Sequence, residues 1–367
     1  MKKRILHLIT GLEVGGAETM LLKILPQTKD VVDHHVCSII GVGPIGDKLS
    51  AAGIPVHHLD LTHSLALSVA AYRLKNIINE IKPDVLITYL PHADLLGRIV
   101  GKATGIKTIV GSIRVRLTKS KYLPFFIFDG LTSPLVNHYH FNSRTIANLH
   151  RRLLFVSPKK ITVIPNAIDV TKYDIQIDTT NKKKELGIPT DKVIIGCVAR
   201  LRKQKGHPVL LSAFQQVIRK HPDTMLVLAG DGEEKRNIVK TIRKLNLHNN
   251  VIMLGNRHDV PEILQVFDIF AVTTLYEGMS NSIMEAMAAH RAIVTTDIPE
   301  NRELITHNST GLLVPVRQAS ATANALIDLI QDQPKRRKLG DEAYKSVLNK
   351  FSLEAIVPRY KEFYLSL

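Results

Sequence analysis

The chain has 367 residues, about twice the length of a common single domain, with 45% hydrophobic and 22% charged residues. Two globular domains are therefore expected, and disordered, collagen-like and coiled-coil classes are excluded. Net charge is +16, and residues 98–160 alone hold twelve basic side chains against one acid, Asp129; a basic field this local suits an anionic partner such as phospholipid, nucleic acid or a phosphorylated substrate, or else simply a solvated surface.

In chain order, Arg4–Thr10 reads as a short buried strand, followed by a glycine loop and a helical stretch Ala17–Leu25. His35–Ile40, Val56–Leu59, Val85–Tyr89 and Thr108–Gly111 read as further strands, with a helix over Leu67–Ile81 from its apolar spacing. A similar series restarts at Val193–Ala199 and continues through Met225–Ala229, Val251–Leu254, Ile269–Thr273 and Ala292–Thr295. Strands alternating with helices predict parallel sheets with right-handed crossovers. Between the two series lies a polar stretch with Pro165, Pro189 and a lysine run. The expected domains are 1–172 and 173–350, with an amphipathic segment 351–367 packing back on the first. Two doubly wound domains facing each other would put their strand ends around one cleft. Aromatics are 5% with no Trp, so the core is aliphatic. Cys37 and Cys197 stand far apart in apolar runs; they form no disulfide framework or metal motif and favour a reducing compartment. No run approaches the roughly 18–20 apolar residues of a membrane-spanning helix. The start of the chain shows no signal-peptide cleavage site, so a cytoplasmic protein, soluble or peripheral on the inner face of the membrane, is expected.

Three segments carry candidate chemistry. Gly11-Leu-Glu-Val-Gly15-Gly16-Ala-Glu18 follows the first strand and opens a helix, where glycine amides and the helix dipole suit a phosphate; the same residues also make a plain strand-to-helix turn. The spacing is neither a dinucleotide fingerprint nor a P-loop. Arg200 and Lys205, in the loop after Val193–Ala199, are two cations suited to a diphosphate. Glu277-Gly-Met-Ser-Asn-Ser-Ile-Met-Glu285 sets two carboxylates eight positions apart around a helix start, with amides of Gly278, Met279, Ser280 and Asn281 available to an anion. Ser282-x-x-Glu285 also matches a capping box, in which the Glu only satisfies a backbone amide.

Together these segments resemble the GT-B glycosyltransferases of family 4, a retaining group that includes many enzymes of bacterial polysaccharide and lipid-linked glycan synthesis. Glu277-x7-Glu285 is similar to that family's paired glutamates, Arg200-x4-Lys205-Gly206 to its diphosphate clamp, and Gly15-Gly16-Ala-Glu18 to its N-terminal glycine loop. Pro165-Asn166-Ala167-Ile168-Asp169 resembles its interdomain segment, with Ala167 where glycine is usual. Gly230-Asp231-Gly232 resembles its turn beneath the donor base. The resemblance implies an α/β fold of two Rossmann-like domains and a nucleotide diphosphate sugar as donor. It also implies that Glu285 holds the donor ribose, Glu277 the sugar hydroxyls, and Arg200 and Lys205 the leaving diphosphate, with Gly15 and Gly16 facing that diphosphate. No Asp-x-Asp motif is present, so neither a metal nor another cofactor is expected.

His92 follows the strand Val85–Tyr89 and is the first domain's candidate catalytic residue, paired in this role with Glu277. Asp94 either orients it or caps the next helix, and Arg98 reads as structural. Arg114, Arg116, Lys119 and Lys121 lie beside the run Tyr122–Phe128, with Arg144, Arg151 and Arg152 beyond. They suit an interfacial surface meeting an acceptor or anionic lipid, or else the solvated edge of a core. Rival readings are a sugar-nucleotide epimerase or hydrolase of the same shape, and a non-catalytic protein binding anionic surfaces; no nucleic-acid motif supports the latter.

Overall fold

The computed structural model describes residues 2–61, 67–114 and 123–367. The chain divides into two compact units, one of Met1–Ala167 with Leu353–Leu367 and one of Ile168–Ser352. The boundary falls at 167/168, five residues before the expected 172/173. Its reason is local: the Ile168 N–H donates to the Phe351 carbonyl at 2.8 Å and Ile168 bridges Ser352 in parallel, which ties 168–172 to the second unit.

The first unit is built on seven parallel strands: β1 (Lys3–Ile9), β2 (Val32–Ser38), β3 (Val56–His58), β4 (Val85–Tyr89), β5 (Thr108–Ile113), β6 (His138–Phe141) and β7 (Ile161–Val163). They lie in the order β3-β2-β1-β4-β5-β6-β7. Because side chains alternate across a strand, Ile5 and Ile9 of β1 enter one apolar cluster and Leu6 and Leu8 another. Both faces of β1 are thus covered, as a parallel sheet requires. The helix Leu353–Ser366 lies against the helix Gly16–Thr28 and buries Ile356, Tyr360, Phe363 and Tyr364 in the cluster that holds Ile5 and Ile9.

A chain of buried rings runs through that layer. His34 Nε2 meets Thr28 Oγ1 at 2.8 Å, its Nδ1 meets His7 Nε2 at 2.9 Å, and His7 Nδ1 meets the Tyr89 hydroxyl at 3.0 Å. Burial holds both imidazoles below their usual range, His34 at about 4, so they stay neutral and exchange single hydrogen bonds. Satisfied buried polar groups of this kind specify one docking geometry for the C-terminal helix.

The second unit repeats the winding with β8 (Val193–Val198), β9 (Thr224–Ala229), β10 (Val251–Gly255), β11 (Ile269–Val272), β12 (Ala292–Thr296) and β13 (Leu312–Val314), ordered β10-β9-β8-β11-β12-β13 and parallel throughout. Helices His207–Lys220 and Ala319–Gln331 pack together, as do Asn281–Ala288 and Gln333–Phe351. β8 and β11 lie side by side, and Gly196 of β8 leaves the space taken by the Phe267 ring. A Cβ at Gly196 would sit 1.9 Å from that ring.

Gly196→Ala is therefore expected to lower unfolding stability by about 1–3 kcal/mol, the usual cost of overpacking a core. Urea denaturation followed by circular dichroism checks this, and adding Phe267→Leu should recover part of the loss. A Gly196→Ala chain with the wild-type midpoint would refute the packing argument.

Candidate active site

In each sheet the strand order reverses at one place, between β1 and β4 in the first unit and between β8 and β11 in the second. Loops leaving adjacent strands there diverge to opposite faces and leave a crevice at the strand C-termini. The singled-out segments follow these strands: Gly15–Gly16 after β1, the His92 loop after β4, Arg200 and Lys205 after β8, and Glu277–Glu285 after β11.

In the second unit, close backbone approaches shape the loop after β8. Gly206 has φ +68, and a Cβ there would lie 2.1 Å from the Thr273 carbonyl oxygen, so the turn folds onto the end of β11. Gly230, at φ +137, comes equally near the Ala199 carbonyl. The Leu201 N–H donates to the Asp231 carbonyl at 2.9 Å, which fixes the course of the chain beyond Arg200. Arg200 itself is exposed.

Lys205 and Glu277 form an ion pair with side chains only 17% and 10% exposed. The Thr274 hydroxyl donates to Glu277 Oε1 at 3.1 Å, and Gln204 Nε2 lies 3.3 Å from Oε2. The same Gln204 amide donates to the Tyr276 carbonyl at 2.8 Å. The carboxylate is thus held at both oxygens by three neighbours. Gln204 and Thr274 carried no sequence signal: an amide inside a lysine-arginine run and a threonine at a strand end show their purpose only once β8 and β11 are adjacent.

Gly278 is half-buried, Met279 and Ser280 are buried, and Asn281 begins the helix Asn281–Ala288. The N-cap is Ser280, whose hydroxyl accepts from the Ile283 N–H at 3.4 Å. Ser282 is the second residue inside the helix, so the capping-box reading of Ser282 and Glu285 is corrected: Glu285 lies two residues past the third helical position from which a glutamate reaches back to cap. Its half-buried carboxylate sits beside the Tyr173 phenol, which burial pushes well above its ordinary range, with Glu285 adding to the shift. Tyr173 was not anticipated. Cys197, in the middle of this unit, is pushed up to about 12 by burial and stays a thiol.

In the first unit, Gly15 is the N-cap of Gly16–Thr28, and Glu18 folds back over it so closely that a Cβ on Gly15 would lie 2.2 Å from Glu18 Oε2. A carboxylate in this first turn complements the helix dipole. His92 is exposed as the second residue of the helix Pro91–Ala103, directly after Leu90, whose backbone is left-handed at φ +73. Backbone strain of this kind concentrates at functional turns.

Asp94 faces inward. It accepts from the Thr88 hydroxyl at 2.6 Å and lies 3.6 Å from Arg98, and burial pushes its carboxyl up to about 6. The N-cap position is Leu90, so Asp94 does not cap the helix. Arg98 is fully buried, donating to Asp129 at 2.5 Å and Thr132 at 2.9 Å.

Arg114 departs from its expected acceptor or membrane role. Its guanidinium turns into the unit, donating to Asn166 Oδ1 at 3.1 Å and the Tyr360 hydroxyl at 3.2 Å, over the Tyr89 ring. The end of β5 points it at these acceptors, which outcompete solvent for a planar five-donor group. Arg116, Lys119 and Lys121 lie outside the described residues. Among the described residues, no group of three or more His, Cys, Asp or Glu is arranged to hold a metal ion.

Comparison with known proteins covers these segments. The family described as Glycosyltransferase Family 4 matches residues 14–172, and Glycosyl transferases group 1 matches residues 178–346. The chain is 30% identical over 353 residues to the N-acetylgalactosamine-N,N'-diacetylbacillosaminyl-diphospho-undecaprenol 4-alpha-N-acetylgalactosaminyltransferase of Campylobacter jejuni, covering 91% of this chain and 92% of that protein. It is 25% identical over 339 residues to the UDP-Gal:alpha-D-GlcNAc-diphosphoundecaprenol alpha-1,3-galactosyltransferase of Escherichia coli, covering 88% and 85%. Among solved structures, Anabaena HepE in complex with UDP matches with a TM-score of 0.88 over 100% of both chains at 22% identity. Two doubly wound parallel units of this kind define the GT-B fold of glycosyltransferases. The chain belongs to glycosyltransferase family 4.

Removing one member of a partly buried ion pair leaves the other without its counter-charge, at a cost below the roughly 3–5 kcal/mol of a fully buried pair. Lys205→Met and Glu277→Gln are each expected to destabilise the chain, and the double variant to lose less than the sum, with a coupling of about 0.5–3 kcal/mol. Guanidinium denaturation of the four proteins measures this directly; strictly additive losses would show that the pair contributes nothing.

Proposed function

We propose that this glycosyltransferase moves a hexose or N-acetylhexosamine from a nucleotide diphosphate sugar to a glycan or lipid-linked acceptor in cell-surface glycan synthesis. It does so with retention of anomeric configuration and without a metal. The observation that carries the reading is the convergence of Arg200, Lys205, Glu277 and the Gly278–Asn281 helix start at the β8/β11 reversal. The relatives' names support the donor and acceptor classes: the Escherichia coli enzyme takes UDP-Gal and acts on a diphosphoundecaprenol-linked sugar, and the Campylobacter jejuni name carries diphospho-undecaprenol.

The residues divide the chemistry among themselves. Arg200 and Lys205 neutralise the charge that grows on the departing diphosphate, the task a divalent ion performs elsewhere. Helix-start amides at Gly278–Asn281 add fixed partial positive charge. Without donor, Lys205 rests on Glu277; when it turns to a diphosphate, Thr274 and Gln204 still hold the Glu277 carboxylate to receive sugar hydroxyls. Glu285 receives the ribose hydroxyls. His92, exposed at the first unit's strand reversal, is the candidate catalytic imidazole. The acceptor hydroxyl attacks the face that the diphosphate leaves, and the diphosphate takes up its proton, so no covalent nucleophile is required. Among the described residues no helix is long and apolar enough to cross a membrane, and we place the enzyme in the cytoplasm or on the membrane's inner face.

Glu285→Ala and Arg200→Ala are expected to reduce transfer at subsaturating donor by tenfold to a hundredfold or more, since a charge-assisted contact is worth about 1.5–3 kcal/mol. Both should leave the melting temperature near wild type. Mass spectrometry of acceptor product from UDP-sugars reads the rate, and proton NMR of the new linkage reads the anomer. Wild-type rates in both variants, or a sugar epimerised or released with no acceptor present, would overturn the reading. Activity should survive EDTA; loss that Mg²⁺ or Mn²⁺ restores would refute metal independence.

A further inference from the structure

A cavity of about 450 Å³ lies in the second unit against the loop that carries Arg200 and Lys205. It is not the site already described, since Arg200, Lys205, Glu277, Gly278–Asn281 and Glu285 are all absent from its lining. Arg202 and Lys203 line it from that loop, and Arg317 from the turn after β13. All three are exposed, and among the described residues their side chains make no hydrogen bond or ion pair. Cations left uncompensated around one concavity concentrate anions there. The same wall includes His207, the first residue of the helix His207–Lys220, which is 2% exposed. Its Nδ1 is buried with no hydrogen-bond partner among the described residues. Burial and the charge of Lys205 hold the ring at about 4, so it is neutral. Buried polar atoms are nearly always matched, and a ligand at this wall would supply the partner that the chain does not.

The rest of the lining is mixed in a way that narrows the ligand. Val209, Ile238 and Leu275 give an apolar floor, and Glu234 is the one acid. The Glu234 N–H donates to the Leu201 carbonyl at 2.8 Å, and its Oε2 accepts from the Asn237 amide at 3.1 Å. Its other oxygen is left to a hydroxyl. A bare phosphate would use neither the floor nor Glu234, and an apolar ligand would leave the cations idle. A nucleotide uses all three: phosphates meet the cations, ribose hydroxyls donate to Glu234, and a flat base lies on the apolar floor, where a guanidinium plane can stack on it. The volume falls within the roughly 300–1,000 Å³ of small-ligand sites.

We propose that this cavity is a second nucleotide site, separate from the donor site, and that it takes a nucleoside diphosphate. The choice of a diphosphate rests on the reading that the enzyme releases one at the neighbouring loop. The two sites share that loop. The Gln204 carbonyl accepts from the Leu275 N–H at 2.8 Å and from the Thr274 hydroxyl at 3.1 Å. Leu275 of the cavity floor and Thr274, which supports Glu277, therefore hang on one residue. Released nucleotide held here touches the segment that carries the diphosphate clamp.

Equilibrium dialysis of the full chain with labelled UDP, ADP and GDP counts the sites. The wild type should take up two equivalents of at least one of these nucleotides. Glu285→Ala should weaken one equivalent and spare the other. Arg202→Gln with Arg317→Gln should weaken that other equivalent at least about tenfold, while sparing the donor equivalent and the rate of transfer. Both arginines are exposed, so folding should be unaffected, and the melting temperature checks it. Two equivalents bound equally well by the arginine variant overturn the proposal. Inorganic pyrophosphate that displaces the second equivalent as readily as the nucleotide does overturns it too, since the cavity would then be a simple anion site. The two readings fail separately. A single equivalent lost in Glu285→Ala and kept in the arginine variant refutes the cavity alone, and a single equivalent lost in the arginine variant and kept in Glu285→Ala refutes the donor site alone.

Discussion

Right-handed crossover is the constraint on which everything else depends. A strand, a helix and a second parallel strand close in one hand, so a sheet that grows in one direction carries its helices on one face, and covering both faces takes one reversal. Here that happens twice, at β1/β4 and at β8/β11. At each reversal the outgoing loops part, and the strand C-termini are left open beside helix starts with unsatisfied amides. Chemistry placed there needs no further scaffold: Arg200, Lys205 and Glu277 are brought within reach because β8 and β11 must be neighbours. Gly196 is part of the same constraint, since those two strands close up only with the Phe267 ring lying over a residue that lacks a side chain.

Charge is treated differently in the two units. In the second, the Lys205–Glu277 pair is partly buried at a loop that a ligand can reach, and the carboxylate has polar supports on both oxygens that do not depend on the lysine. That arrangement lets the lysine change partner without stranding a bare carboxylate. In the first unit, Arg98 is sealed between Asp94, Asp129 and Thr132, and Arg114 between Asn166, Tyr360 and Tyr89. These cations have no exposed work to do. Arg98 ties the helix Pro91–Ala103 to Leu123–Thr132, and Arg114 ties β5 to the last helix. The local excess of positive charge therefore overstates how many cations meet solvent, while burial of Asp129 leaves that solvent-facing set without a counterion.

Much of this was legible in the chain alone. Short aliphatic runs alternating with helical spacing fixed ten strands to within a few residues, because a strand buried on both faces has no other way to be written. The restart after residue 190 marked the second unit, and the glycine, arginine and glutamate segments were found because their spacing is set by local turns. What failed was non-local. β6, written His-Tyr-His-Phe, lacks the aliphatic signature: His138 and His140 are covered by the C-terminal helix, and Tyr139 and Phe141 by the helix Arg144–Leu154 on the other face; β7 runs directly into the polar stretch between the two series, and the short β13 follows a turn with no helical pattern before it. Ser282 looked like a cap until the helix began two residues earlier on Ser280. Arg114 looked like a surface cation, since nothing nearby in sequence says that Asn166 and Tyr360 wait for it. Sequence by itself determined the winding, the doubling and the identity of the loop residues, all of which follow from hydrophobic period and turn chemistry over a few neighbouring positions. Only the tertiary structure decided which cations are spent inside, which carboxylate is held by Gln204 and Thr274, and which apolar residues stay in water, because those outcomes depend on partners tens to hundreds of residues away.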